Sequence, residues 1–287
     1  MLAALPETAP ARPTRPRKVL VLARAAGYVH SSIPLAVRTV EELGLRTGAW
    51  ATTATYDAAD VTTENLKQYD AIFLASTTGH FLDDPDDAAA TAARRAALLA
   101  FVRGGKGLAA IHAATDSYHA SATAEGGAPR PKTDQWPDDQ VGTWPEFNTL
   151  LGGFFKYHWN DGQSITYVVE EPDHPLNAPF RGQTPFVVED ETYTFGREVY
   201  SRDNLRVLTS VDYARMSAED RAKEQFPRPD HDHPLSWVRG EQKGRVFYMS
   251  HGHNEKVYAN RALLAHLLRG IQYALGDIAA DDSPRAR

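Results

Sequence analysis

Histidines carry most of the chemistry this chain could perform, and their spacing is orderly. His30 closes the run Gly27-Tyr28-Val29-His30, and His80 closes Ser76-Thr77-Thr78-Gly79-His80. His112 opens His112-Ala113-Ala114-Thr115-Asp116, and His253 lies in His251-Gly252-His253-Asn254-Glu255. Each run comes after a short apolar segment, and His112 follows its segment directly. An imidazole of ordinary pKa near 6.5 can act as acid, base or metal ligand around neutral pH. Asp116 and Glu255 are near enough in sequence to orient His112 and His253 and raise their basicity. The plainer readings are a capping role for Asp116 and a surface role for Glu255. Tyr28, His30, His158, Glu191 and Tyr193 are candidate substrate-binding residues. His30, His112, His158 and His253 also have the donor type of a divalent-metal site, with Glu191 as a carboxylate complement. Trp136, Trp144 and Trp159 offer apolar faces either for a ligand ring or for packing. Asp230-His231-Asp232-His233 is dense in ligand types, but its Pro-flanked polar setting reads as a solvated loop.

The apolar runs in front of these histidines are the elements that must position them. Val19 to Ala23, Ala71 to Ala75 and Leu108 to Ile111 read as strands buried on both faces. A further strand is expected over Arg46 to Thr52. Between the strands lie an apolar-striped helix after Ser31 or Ser32, expected to stop at Gly44, and an Ala-rich helix from about Ala88 to Val102 behind Asp86 and Asp87. Strands alternating with helices predict a mainly parallel, doubly wound sheet, and such sheets bind ligands beyond the carboxyl ends of their strands. The histidine runs all fall there. A short helix is expected over Pro145 to Leu151. The text then turns β-rich, with a hairpin around Gly240 to Gly244 and a closing amphipathic helix over Asn260 to Leu275. The expected organisation is a flexible leader over 1–17, one α/β domain over 18–277 with a long mobile loop at 121–142, and a flexible tail over 278–287.

Composition removes several classes of function. With no cysteine among 287 residues, disulfides, thiolate metal sites and cysteine nucleophiles are excluded. A net charge of -6 offers no electrostatic footprint for nucleic acid. No apolar run approaches the ~20 residues of a membrane span, and Met1 to Arg17 lacks a secretory h-region, so a cytoplasmic location is expected. Gly104-Gly105-Lys106-Gly107 comes after a helix and before a strand, the wrong side for a phosphate cradle. No nucleotide or flavin is expected.

The run Gly104 to Asp116 is similar to ThuA-like proteins, the trehalose-utilisation family of the class I glutamine-amidotransferase-like superfamily. So are Gly27 to His30, Leu151 through His158, the Asp190-Glu191 and Tyr193 patch, Pro234 to Trp237, and Gly244 to His253. The resemblance implies a flavodoxin-like sheet with helices on both faces and a β-rich C-terminal half. It also implies a link to sugar catabolism through 3-keto sugars. Amidotransferases hold a cysteine nucleophile where this chain has His112, so no glutaminase activity is expected, although His253-Asn254-Glu255 echoes their His-x-Glu. The implied function is carbohydrate processing on a glycoside or 3-keto-glycoside, a hydrolase or lyase with His112 and His253 as acid and base and a divalent metal as a candidate cofactor. The alternative is a non-catalytic sugar-binding or regulatory protein on the same scaffold. The expected partner is a small sugar, with no nucleic acid and no membrane, and with a homo-oligomer compatible.

Overall fold

The computed structural model describes residues 1–119, 142–159, 162–196, 199–224 and 227–286. The expected long loop at 121–142 lies outside the described residues except for Gly142. The first half alternates β1 (Lys18–Leu22), α1 (Ile33–Thr47), β2 (Ala51–Thr55), α2 (Thr63–Leu66), β3 (Ala71–Ala75), α3 (Ala88–Arg103) and β4 (Gly107–Ile111). The second half contains α4 (Pro145–Leu151), β5 (Phe155–His158), β6 (Ser164–Val169), β7 (Val187–Glu189), β8 (Tyr193–Phe195), β9 (Arg206–Val211), α5 (Ala218–Ala222), β10 (Pro234–Glu241), β11 (Gly244–Met249) and α6 (Arg261–Ala274). One nine-stranded sheet runs in the order β2-β1-β3-β4-β11-β10-β9-β6-β7. Its first five strands are parallel and the rest antiparallel. β5 and β8 form a separate antiparallel pair.

The continuous apolar strands follow from a core on each side of the sheet. Val19 and Val21 of β1, Phe73 of β3 and Ile111 of β4 pack with α1 and α6 on one face. Leu20, Leu22, Ile72, Leu74 and Leu108 pack with α3 and α4 on the other. Alternate side chains therefore enter different cores, and the buried stretches Val19 to Leu22, Ala71 to Ala75 and Leu108 to Ile111 hold no polar residue. This is a flavodoxin-like α/β fold with its β-rich extension carried on the β10 side.

Several expectations need correction. α1 does not stop at Gly44. It continues to Thr47 and ends at Gly48, which takes the left-handed backbone at φ 64°. Gly44 is instead a close-packing position, because a Cβ there would lie 2.5 Å from Nε1 of Trp50. The second strand accordingly begins at Ala51, not Arg46. The leader is anchored: Ala4 and Leu5 are buried in the α1/α6 core, and Gln272 bonds both backbone groups of Ala11. At the other end, Tyr273 donates to Asp282 at 2.6 Å and Arg206 pairs with Asp281 at 3.2 Å. The Asp230 to His233 run is not solvated throughout. Asp232 is buried and takes hydrogen bonds from Tyr200 and Arg202, and the buried His233 lies 3.1 Å from Glu224.

Asp70, just before β3, ties the leader to the sheet. It accepts from Arg15 at 2.7 Å, Lys106 at 3.0 Å and the backbone N–H of Lys18 at 3.1 Å. Burial opposes its ionisation, but Arg15, Lys106 and the Lys18 amide outweigh that and hold the carboxyl at about 2. A folded value below the ordinary 3.8 means that this stabilisation is present above about pH 4 and is lost as pH falls toward 2. Arg15 is half exposed, so solvent screens part of the effect. Asp70→Asn is expected to lower stability by about 1–2 kcal/mol at pH 6. Melting curves of both proteins should converge near pH 2; a gap of constant size from pH 6 to 2 would contradict the assignment.

Candidate metal centre

The site is built where four loops meet at the carboxyl ends of β1, β4 and β11 and at the turn between β7 and β8. His112 follows β4 directly and has φ 44°, the sharp strand-exit conformation that lifts a side chain above the sheet. Its carbonyl accepts from Tyr248 at 2.7 Å and from Thr115 at 3.2 Å, which holds this turn. The loop after β1 is tied across the site, because the Ser32 hydroxyl donates to the Gly252 carbonyl at 2.7 Å in place of capping α1. Asp190 fastens the loop after β11 by accepting from the backbone N–H groups of Gly252 at 2.9 Å and Asn254 at 2.8 Å.

These loops bring four donors together. Nε2 of His112 lies 3.2 Å from Nε2 of His30, 3.2 Å from Nδ1 of His253 and 3.5 Å from Oε2 of Glu191. Nδ1 of His253 is 3.2 Å from the same Glu191 oxygen. All four ligand atoms fall within 4.8 Å of one another. An ion with tetrahedral bonds of about 2.0–2.1 Å needs ligand–ligand edges of about 3.3–3.4 Å; the three edges among His112, His253 and Glu191 and the His30–His112 edge lie at 3.2–3.5 Å, near that value.

The protonation pattern suits a cation. Nδ1 of His112 is 3.0 Å from the Ser250 carbonyl, which can only accept, so Nδ1 carries the hydrogen and Nε2 presents its lone pair. Burial pushes His30 down to about 4, with the His253 charge adding to the effect. Burial likewise holds the wholly buried His112 well below the ordinary range. Both rings are therefore neutral at physiological pH, the form that binds metal.

The other sequence-based site residues separate into two groups. His158 joins the cluster's edge. Its Nδ1 is 3.2 Å from Oε1 of Glu191 and 2.8 Å from the Trp159 carbonyl, and its side chain is 42% exposed. Tyr28 covers His30 edge-on with ring centroids 4.7 Å apart. Tyr193 is buried beneath His112, rings 4.5 Å apart, and so supports the site from below. Glu255 is exposed and takes a 2.6 Å hydrogen bond from Ser31; the carboxylate on Nδ1 of His253 is Glu191. Asp116 does not orient His112, whose Nδ1 goes to Ser250. Asp116 keeps 24% of its side chain open, yet the protein packed around it pushes its carboxyl up to about 8, with the Glu191 charge adding. His80 stands apart, 2.9 Å from the Thr143 hydroxyl and stacked on Tyr118. Trp144 and Trp159 are buried core residues.

A parallel sheet with a strand-exit elbow after β4 and a second histidine loop after β11 defines the class I glutamine-amidotransferase-like group of flavodoxin-like proteins. The chain belongs to the ThuA family, described as trehalose utilisation, whose model matches residues 18–274. Among solved structures, a ThuA-like protein of Bacteroides uniformis aligns with TM-score 0.65 at 19% identity, covering 92% of this chain and 94% of that one. A ThuA-like protein of Parabacteroides merdae aligns with TM-score 0.57 at 16% identity, covering 94% and 98%. A cytoplasmic protein of Salmonella typhimurium aligns with TM-score 0.50 at 12% identity, covering 91% and 99%. At these identities the likeness is one of fold. No curated protein matches the chain. Among the described residues, no helix is long and apolar enough to cross a membrane.

Proposed function

We propose that the protein is a divalent-metal-dependent carbohydrate-processing enzyme of sugar catabolism that acts on 3-keto-glycosides. The observation that carries this reading is the convergence of His30, His112, His253 and Glu191, with ligand atoms all within 4.8 Å of one another, around a strand-exit elbow. Membership of a trehalose-utilisation family supports a sugar as substrate. Cleavage of an ordinary glycoside calls for two carboxylates about 5–9 Å apart across the bond, whereas this cleft is rich in imidazole. A carbonyl at C3 changes the requirement, because it acidifies the C2–H bond.

In this reading His112 and His253 are ligands, and acid–base work passes to their neighbours. A bound dication supplies a Lewis acid for the sugar's carbonyl oxygen. Nδ1 of His158 donates to Trp159, so its half-exposed Nε2 holds a lone pair and serves as the base. His158 takes the C2 proton, the C–H electrons form a C1–C2 double bond, and the C1–O glycosidic bond breaks. Asp116, held protonated by its surroundings, gives its proton to the departing oxygen. The products are an unsaturated keto sugar and an alcohol, and solvent restores both protonation states.

Metal binding should also stabilise the fold. At free metal 1,000-fold above Kd the gain is about 4 kcal/mol. At about 2 °C per kcal/mol for a chain of this size, that is roughly an 8 °C rise in Tm. Chelator-treated protein titrated with zinc or manganese should show the rise and, in parallel, turnover of a 3-keto-glucoside but little of the unoxidised glucoside. A flat Tm with no metal retained would sink the metal reading. Metal binding without turnover of either sugar would favour a sugar-binding protein.

A further inference from the structure

The backbone amides of Gly252, His253 and Asn254 point at one buried carboxylate. Oδ2 of Asp190 accepts from Gly252 at 2.9 Å and His253 at 3.4 Å, and lies 3.2 Å from Nδ1 of His251. Oδ1 accepts from Asn254 at 2.8 Å. Successive amides turned to one side form a cup for an anion, and here a side chain of the protein fills it. Gly252 permits the turn with φ 143°, where a Cβ would come within 3.1 Å of the Tyr258 hydroxyl. The residue next to Asp190 in the chain is Glu191. Two consecutive acidic residues thus do different work. One grips the loop that carries His253, and the other meets Nδ1 of His253 at 3.2 Å.

We infer that Asp190 is the positioning residue of the metal centre: it sets the His253 loop so that the imidazole and the neighbouring Glu191 carboxylate reach ligand spacing together. This rests on the metal reading above. Loop and ligand are coupled because Asp190 and Glu191 share a peptide bond, so a shift of the loop relative to Asp190 is a shift of His253 relative to Glu191. Outer groups that orient ligands commonly change metal affinity 10–100-fold when removed. A purely structural anchor would change the melting temperature and leave the ligand field alone.

Cobalt(II) titration of the full chain separates the two, since its visible d–d bands report coordination geometry directly. Asp190→Asn is expected to weaken cobalt binding 10–100-fold and to alter band position and intensity. In a His253→Ala background the same change should cost less than about threefold, because the residue it positions is gone. Should Asp190→Asn not fold, Asp190→Glu, which keeps the charge and displaces it by a methylene, carries the same test. Wild-type affinity and bands in the Asp190 variant, with only Tm reduced, would overturn the inference and leave the metal reading standing. So would an equal loss in both backgrounds. A wild-type protein that binds no cobalt overturns both.

Discussion

Replacing His112 by alanine should remove metal binding and turnover together. Its Nε2 is the shared vertex of the cluster, 3.2 Å from His30 and His253 and 3.5 Å from Glu191. Losing a direct ligand should cost more than the 10–100-fold typical of outer-shell groups, so affinity is expected to fall about a hundredfold or more. The elbow backbone has φ 44°, a region that asparagine tolerates better than most residues. His112→Asn therefore keeps the turn while removing the imidazole, and the two variants should behave alike. Metal content by elemental analysis, metal affinity by calorimetry and turnover of a 3-keto-glucoside are the readouts. If both variants retain metal and full activity, the chemistry lies elsewhere.

Asp116→Asn should leave metal binding nearly unchanged and still impair catalysis. The residue lies on the turn after His112 and keeps a quarter of its side chain open. As the donor to the departing oxygen it should be worth about 10²–10⁴ in kcat, while metal affinity should move by no more than a few-fold. The pH dependence has a definite sign. Burial and the Glu191 charge favour the protonated form, with the carboxyl pushed up to about 8, and a nearby dication pulls it back down. Activity should therefore decline as pH rises through that titration. The asparagine variant should lack this alkaline limb. A variant with unchanged kcat, or with the same limb, would exclude Asp116 as the acid.

Much of this arrangement was legible in the chain itself. Strands such as Val19 to Ala23 and Ala71 to Ala75 read directly, because burial on both faces leaves no polar position in them. A parallel sheet then brings strand ends to one rim, so His30, His112 and His253 were recognisable as neighbours before any distance was known. Asp87 as a helix cap was equally plain, since its side chain serves the amide of Ala90 in its own first turn. Loop residues with long-range partners were harder. Nothing local marks His233 as buried, because its partner Glu224 and the Trp159 ring beside it belong to other segments. The leader, rich in Pro, Ala and Arg, read as flexible, yet Ala4 and Leu5 reach a core built by distant helices.

The division at the site has a physical cause. Residue type and strand-end position, both local properties, were enough to nominate the histidines and to close the cysteine route. Which carboxylate meets which imidazole was decided only in three dimensions. Glu255 is two residues from His253, yet its carboxylate bonds Ser31. Glu191, sixty-two positions away, takes its place because β7 and β8 return the chain to the rim. In the same way Asp116 lost His112 to the Ser250 carbonyl, since a side chain on the elbow points toward the neighbouring strand end rather than along its own turn. Short spacing along a chain limits distance without setting direction. Direction comes from the backbone of each loop and from what the neighbouring loops offer it, and those exist only once the sheet has assembled.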